Sequence, residues 1–133
     1  MPNLFVYGTL MRGRPAHGLL APWVVQAQPG TCVGHLYRMP AGYPAMVESH
    51  DGRVHGEVLS LRPELPWAKI DEYEGFDPAN PQGSLYVRSQ RRIELRPQGH
   101  VEAHCYLLVS GTLQTHIAQG AFRLTDGRWP PRA

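Results

Sequence analysis

Leu85-Tyr86-Val87-Arg88-Ser89-Gln90-Arg91-Arg92-Ile93-Glu94-Leu95-Arg96 alternates along its length. Leu85, Val87, Ser89, Arg91, Ile93 and Leu95 make one largely apolar face. Tyr86, Arg88, Gln90, Arg92, Glu94 and Arg96 make the other, which is polar or amphipathic. Successive side chains of a strand point to opposite faces, so the pattern predicts a half-buried strand. Gln98-Gly99 then turns the chain, and Val101, Ala103, Cys105, Leu107 and Val109 line one face of a second run. The pair reads as a hairpin, which makes a sheet the frame of the molecule.

The N-terminal half reads as shorter strands between turns. Asn3 to Tyr7 is a first strand that stops at Gly8. Met11 to Pro22 reads as a loop, with one turn of helix at Ala16 to Leu20. Trp23 to Gln28 and Thr31 to Met39 read as two strands separated by Pro29-Gly30. After turn residues at Ala41 to Pro44, Ala45 to Ser49 makes a short strand. Asp51-Gly52 turns the chain into another strand, Val54 to Leu61. One helix is predicted, from about Glu64 to Glu74, with Pro66 in its first turn and Gly75 as its stop. Phe76 to Gly83 is a Pro-rich loop, and the tail Trp129-Pro130-Pro131 carries no obvious element. Six or more short strands and one good helix predict a barrel-like sheet with a helix packed on it.

The 133 residues argue for one domain spanning 1–133. Hydrophobic residues at 42% and charged residues at 18% describe a globular chain rather than a disordered one. A net charge of +2 gives little support for a nucleic-acid partner. Arg88, Arg91, Arg92 and Arg96 read better as a strand face, with Arg92 and Arg96 in solvent. Cys32 and Cys105 fall in apolar runs and read as buried thiols. The N-terminus shows no leader and no stretch is apolar enough for a membrane span, so a reducing cytoplasm is expected. His17, His35, His50, His55, His100, His104 and His116 are scattered without metal-ligand spacing, so no metal is expected.

Chemistry first shows on the predicted helix. With 100° per residue counted from Trp67, Ile70 lies at about −60°, Glu74 at about −20°, Asp71 at about +40° and Glu72 at about +140°. Glu74 therefore lies along the apolar stripe and Glu72 points to solvent. Burial raises a carboxylate's pKa, and the negative end of the helix dipole pushes the same way. That makes Glu74 a candidate general acid or base. A salt bridge to an arginine such as Arg88, or an exposed last turn, also accounts for it. A second feature is Tyr7-Gly8-Thr9-Leu10, where a strand runs into a Gly-containing loop whose N–H groups can form an anion-binding concavity. An ordinary strand-to-turn exit accounts for that loop too.

Taken together, these segments resemble a known family. Leu4-Phe5-Val6-Tyr7-Gly8-Thr9-Leu10-Met11-Arg12-Gly13 resembles the opening signature of the gamma-glutamylcyclotransferase-like (AIG2-like) family. Val54-His55-Gly56-Glu57-Val58, Ile70-Asp71-Glu72-Tyr73-Glu74-Gly75 and Tyr86-Val87-Arg88 resemble its next three motifs, in order. Ile117-Ala118-Gln119-Gly120 resembles a weaker C-terminal one. The resemblance implies an α+β fold, a small mixed β-barrel with flanking helices. It implies a cavity for the glutamyl part of a γ-glutamyl compound, with Glu74 as the acid-base residue. Tyr7, Gly8, Thr9 and Leu10 would bind substrate through backbone groups, with Tyr86 near the pocket. Arg88, on the same strand face, is placed beside it. The implied reaction is ring closure to 5-oxoproline with release of an amine, an acyl transfer that needs no cofactor. The alternative is a binding module that holds a small anionic ligand in the same cavity without turning it over.

Overall fold

A computed structural model describes residues 1–130. Eight strands and two short helices follow one another: β1 (Asn3–Val6), β2 (Val24–Val33), β3 (His35–Arg38), β4 (Pro44–Val47), β5 (Arg53–Leu61), α1 (Trp67–Tyr73), β6 (Tyr86–Leu95), β7 (His100–Leu108), α2 (Leu113–Ala118) and β8 (Phe122–Leu124). The order β1-β5-β2-β6-β7 closes into a barrel, and β4-β3-β8 form a separate three-stranded sheet. The barrel is mixed because β1 meets β7 in parallel, Leu4 opposite His104, while its other pairs are antiparallel. The expected α+β barrel with flanking helices is the observed fold. No helix among the described residues is long and apolar enough to cross a membrane.

The β6–β7 hairpin forms as expected, with Tyr86 opposite Leu108 and Glu94 opposite His100. Its faces are covered differently from the simple alternation. Ile93 is buried on one face, but Tyr86 is buried on the other, where α1 lies over the start of β6. Alternate residues feed two cores. Phe5, Val58, Ile93 and Cys105 join Leu36 and Met46 of the second sheet. Leu4, Leu59, Tyr106 and Leu108 pack with Ile70 of α1. Cys32 and Cys105 are buried and free, and burial pushes the Cys32 thiol up to about 11.

Several boundaries differ from the sequence reading. β2 runs unbroken through Pro29-Gly30, and the interruption comes at Gly34 instead. The Pro29 carbonyl accepts from Arg96 N–H (3.0 Å) on the β6 side, and the Arg96 carbonyl, which a backbone N–H at position 29 would face, accepts from Gln28 Nε2 (3.2 Å) instead. Trp23 belongs to a 3-10 turn rather than to β2. α1 starts at Trp67, not Glu64, and Pro66 precedes its first turn instead of lying inside it. α2 and β8 occupy stretches that carry too few residues to show a period. Pro131 of the tail lies outside the described residues; Trp129 packs against the barrel-side core.

Candidate active site

The strand β1 ends at a turn in which Met11 N–H donates to Gly8 O (3.1 Å). Glu57 on the neighbouring strand β5 fixes this turn from below. Its carboxylate accepts from Arg12 N–H (2.8 Å) and Arg12 Nε (3.0 Å). Gly56, beside it, is required by close approach: a Cβ there would collide with the Val6 carbonyl and the Phe5 ring. At Gly8 a Cβ would stand 2.8 Å from Pro44 Cγ, so glycine lets the turn pack against β4. No hydrogen bond among the described residues uses the N–H groups of Gly8, Thr9 or Leu10.

These residues border a cavity of about 400 Å³ that also receives Glu74, Tyr86, Tyr43 and Tyr106. Glu74 is the residue that ends α1, with Gly75 following at φ +72°. Burial pushes its carboxyl up to about 7. No described residue hydrogen-bonds that carboxylate, and no cation lines the cavity beside it. The nearby arginine is used elsewhere. Arg88 Nε and Nη2 donate to Asp71 Oδ1 and Oδ2 at 2.8 and 3.2 Å, and its guanidinium lies 4.4 Å from the Trp67 ring centre. Tyr106 donates its hydroxyl to the same Asp71 at 2.5 Å. Asp71 thus absorbs the nearby positive charge and leaves Glu74 without any.

The structure brings Tyr7, Gly8, Thr9, Leu10, Glu74 and Tyr86 to one cavity. Arg88 does not line it; it borders an adjoining groove. The two tyrosine hydroxyls are structural in this arrangement. Tyr7 donates to Tyr106 O (2.7 Å) and accepts from Met46 N–H (3.1 Å), and Tyr86 donates to Pro44 O (2.6 Å). Burial raises both phenol pKa values, so both stay protonated as donors. Pro44 and Met46 present the free edge of β4, and the tyrosines satisfy it. Glu72 is exposed as expected, yet it reaches the cavity rim with Tyr73, whose hydroxyl pairs with Thr9 Oγ1 at 3.0 Å.

Glu74 and Tyr86 are separated by the Pro-rich loop, but its neck is closed. Leu85 N–H donates to Gly75 O at 3.0 Å. The loop is also tied internally, because Ser84 Oγ accepts from Asp77 N–H (2.8 Å) and donates to Asn80 O (3.0 Å). Sequence reasoning missed Tyr106, Tyr43 and the charge-absorbing role of Asp71. Tyr106 had only a local signal: with Leu108 it makes the C-terminal end of the second face of β7 apolar, after His100, Glu102 and His104.

A small closed barrel with a side sheet, a pinned turn and a half-buried carboxyl in a cavity define a recognisable class. The chain matches the family described as Gamma-glutamyl cyclotransferase, AIG2-like over residues 4–130, and it belongs to that family. No curated protein matches it. Among solved structures, YkqA from Bacillus subtilis is similar at 26% identity and TM-score 0.68, over 96% of this chain and 39% of that one. The chain therefore spans well under half the length of YkqA. An AIG2-like protein from Mus musculus is similar at 23% identity and TM-score 0.63, over 83% of this chain and 78% of that one. Allophanate hydrolase from Kluyveromyces lactis shares the fold at 17% identity and TM-score 0.64, over 98% of this chain and 20% of that one.

Proposed function

We propose that this chain is a γ-glutamyl cyclotransferase-like enzyme that releases 5-oxoproline and a free amine from a γ-glutamyl amine or peptide. The observation that carries this reading is the Glu74 carboxyl, raised to about 7 and unpaired, beside a turn with unused N–H groups. The substrate's own α-amino group is the nucleophile. It arrives as an ammonium and must lose a proton before it can attack. Glu74 takes that proton, the nitrogen bonds to the γ-carbonyl carbon, and a tetrahedral intermediate forms. Its C–N bond to the leaving amine then breaks as Glu74 returns the proton to that nitrogen, and the freed carboxylate takes the second proton from the ring nitrogen and passes it to the departing amine, which leaves as an ammonium. The proton balance closes on one carboxyl, so no protein nucleophile is needed.

The free N–H groups of Gly8, Thr9 and Leu10 suit an anionic end of the substrate, and confinement in a cavity of about 400 Å³ favours the folded, near-ring shape. The test is 5-oxoproline release from a panel of γ-glutamyl amines and peptides. Glu74→Gln should lower kcat/KM by about 100-fold or more. For the wild type, kcat/KM should rise with pH as the carboxylate forms, with a limb near 7. Wild-type turnover that Glu74→Gln retains would overturn the assignment. Thermal stabilisation by glutamate-like ligands without product would favour a binding module instead.

A further inference from the structure

Glu72 and Gly75 line two depressions at once, the cavity that receives Glu74 and the adjoining groove. The groove offers the apolar surfaces of Trp67 and Phe76, and its charged lining residues are Asp71, Glu72, Asp77 and Arg88. Two of those four neutralise each other, because Arg88 holds Asp71 through two hydrogen bonds. The charges that remain are Glu72 and Asp77, both exposed carboxylates. The cavity itself is lined by no Lys, Arg or His among the described residues. A chain leaving the cavity past Glu72 therefore meets apolar walls and negative charge, with no available cation.

We propose that this groove seats the tail of the leaving amine, and that Glu72 selects a tail bearing a positive charge: a diamine or polyamine rather than an amino acid or peptide. The proposal rests on the cyclotransferase reading above and adds the class of leaving group. A tail carboxylate would face Glu72 and Asp77 unpaired. An ammonium on a short methylene chain would meet them while its methylenes cover Trp67 and Phe76.

The experiment compares the γ-glutamyl amides of butylamine, putrescine and 4-aminobutyrate, tails of similar length that are neutral, cationic and anionic at neutral pH. The measured quantity is kcat/KM for 5-oxoproline release. The cationic amide should exceed the neutral one by about threefold or more, as expected for an exposed ion pair, and the anionic amide should be slowest. Glu72→Gln should bring the cation-to-neutral ratio close to one, and Glu72→Lys should favour the anionic amide. Asp77→Asn should lower the same ratio, and added salt should shrink it in the wild type. Turnover of the neutral amide with no charge order, or a ratio that Glu72→Gln leaves unchanged, overturns this inference alone. Release from none of the three amides while a γ-glutamyl peptide turns over also overturns this inference alone, and release from neither amides nor peptides overturns the cyclotransferase reading with it.

Discussion

Taking the Glu74 carboxyl out of water favours its protonated form. The folded protein then holds a proton that the unfolded chain, with an ordinary value of 4.5, has already released. Between about pH 4.5 and 7 the native state binds more protons than the unfolded state, so stability falls as pH rises through this window and levels off above it. The shift corresponds to a penalty of about 3 kcal/mol at pH 8. Glu74→Gln should be more stable than wild type at pH 8 by up to this amount, and nearly equal to it at pH 4. Urea denaturation at the two pH values checks this, and an identical difference at both would refute it. Glu74 was legible in the sequence because a helix angle needs only the period of 3.6. The fate of Arg88 was not, since choosing between Asp71 and Glu74 depends on how α1 sits over β6.

At the level of elements, α1 is anchored less by its length than by one buried acid. Asp71 is 4% exposed and binds both Arg88 of β6 and Tyr106 of β7. Asp71→Ala strands a partly buried guanidinium and a buried phenol, and should destabilise the protein by about 3–5 kcal/mol. Adding Arg88→Met should restore part of that loss, because the uncompensated charge is then gone. A double-mutant cycle in urea measures the coupling, and additive losses would show that the pair is not coupled. The hairpin β6–β7 was readable from period-two alternation. The second buried face of that hairpin was not, because alternation reports one covering layer, and α1 supplies another over only the first residues of β6. Pro29 misled because a side chain, Gln28, supplies the donor that the proline lacks.

Across the whole molecule, the barrel and the three-stranded sheet share a core, and hydrogen bonds add further ties between them. Tyr7 and Tyr86 reach from the barrel to the β4 edge. Beyond β8, Gly127 returns to the barrel and accepts from His55 N–H of β5 at 2.8 Å. Gly127 has φ +65°, and a Cβ there would collide with the Arg53 carbonyl. Gly127→Ala should therefore destabilise by about 2–3 kcal/mol, read as a lowered urea midpoint with an unchanged slope. The short β8 that this return follows is three residues long, too brief for any pattern to show, so the closing of the second sheet was invisible in the sequence.

The bond from Leu85 N–H to Gly75 O separates what the Pro-rich segment contains from what it connects. Everything between those two residues hangs from a fixed clasp, so the spacing of Glu74 and Tyr86 does not depend on the segment's length or composition. Lengthening such a segment adds little entropy, about 0.6 kcal/mol for each doubling. The segment is in effect an interchangeable cassette. By exchanging it, an engineered version of this chain can reshape the groove the segment borders while Glu74 and Tyr86 stay in register.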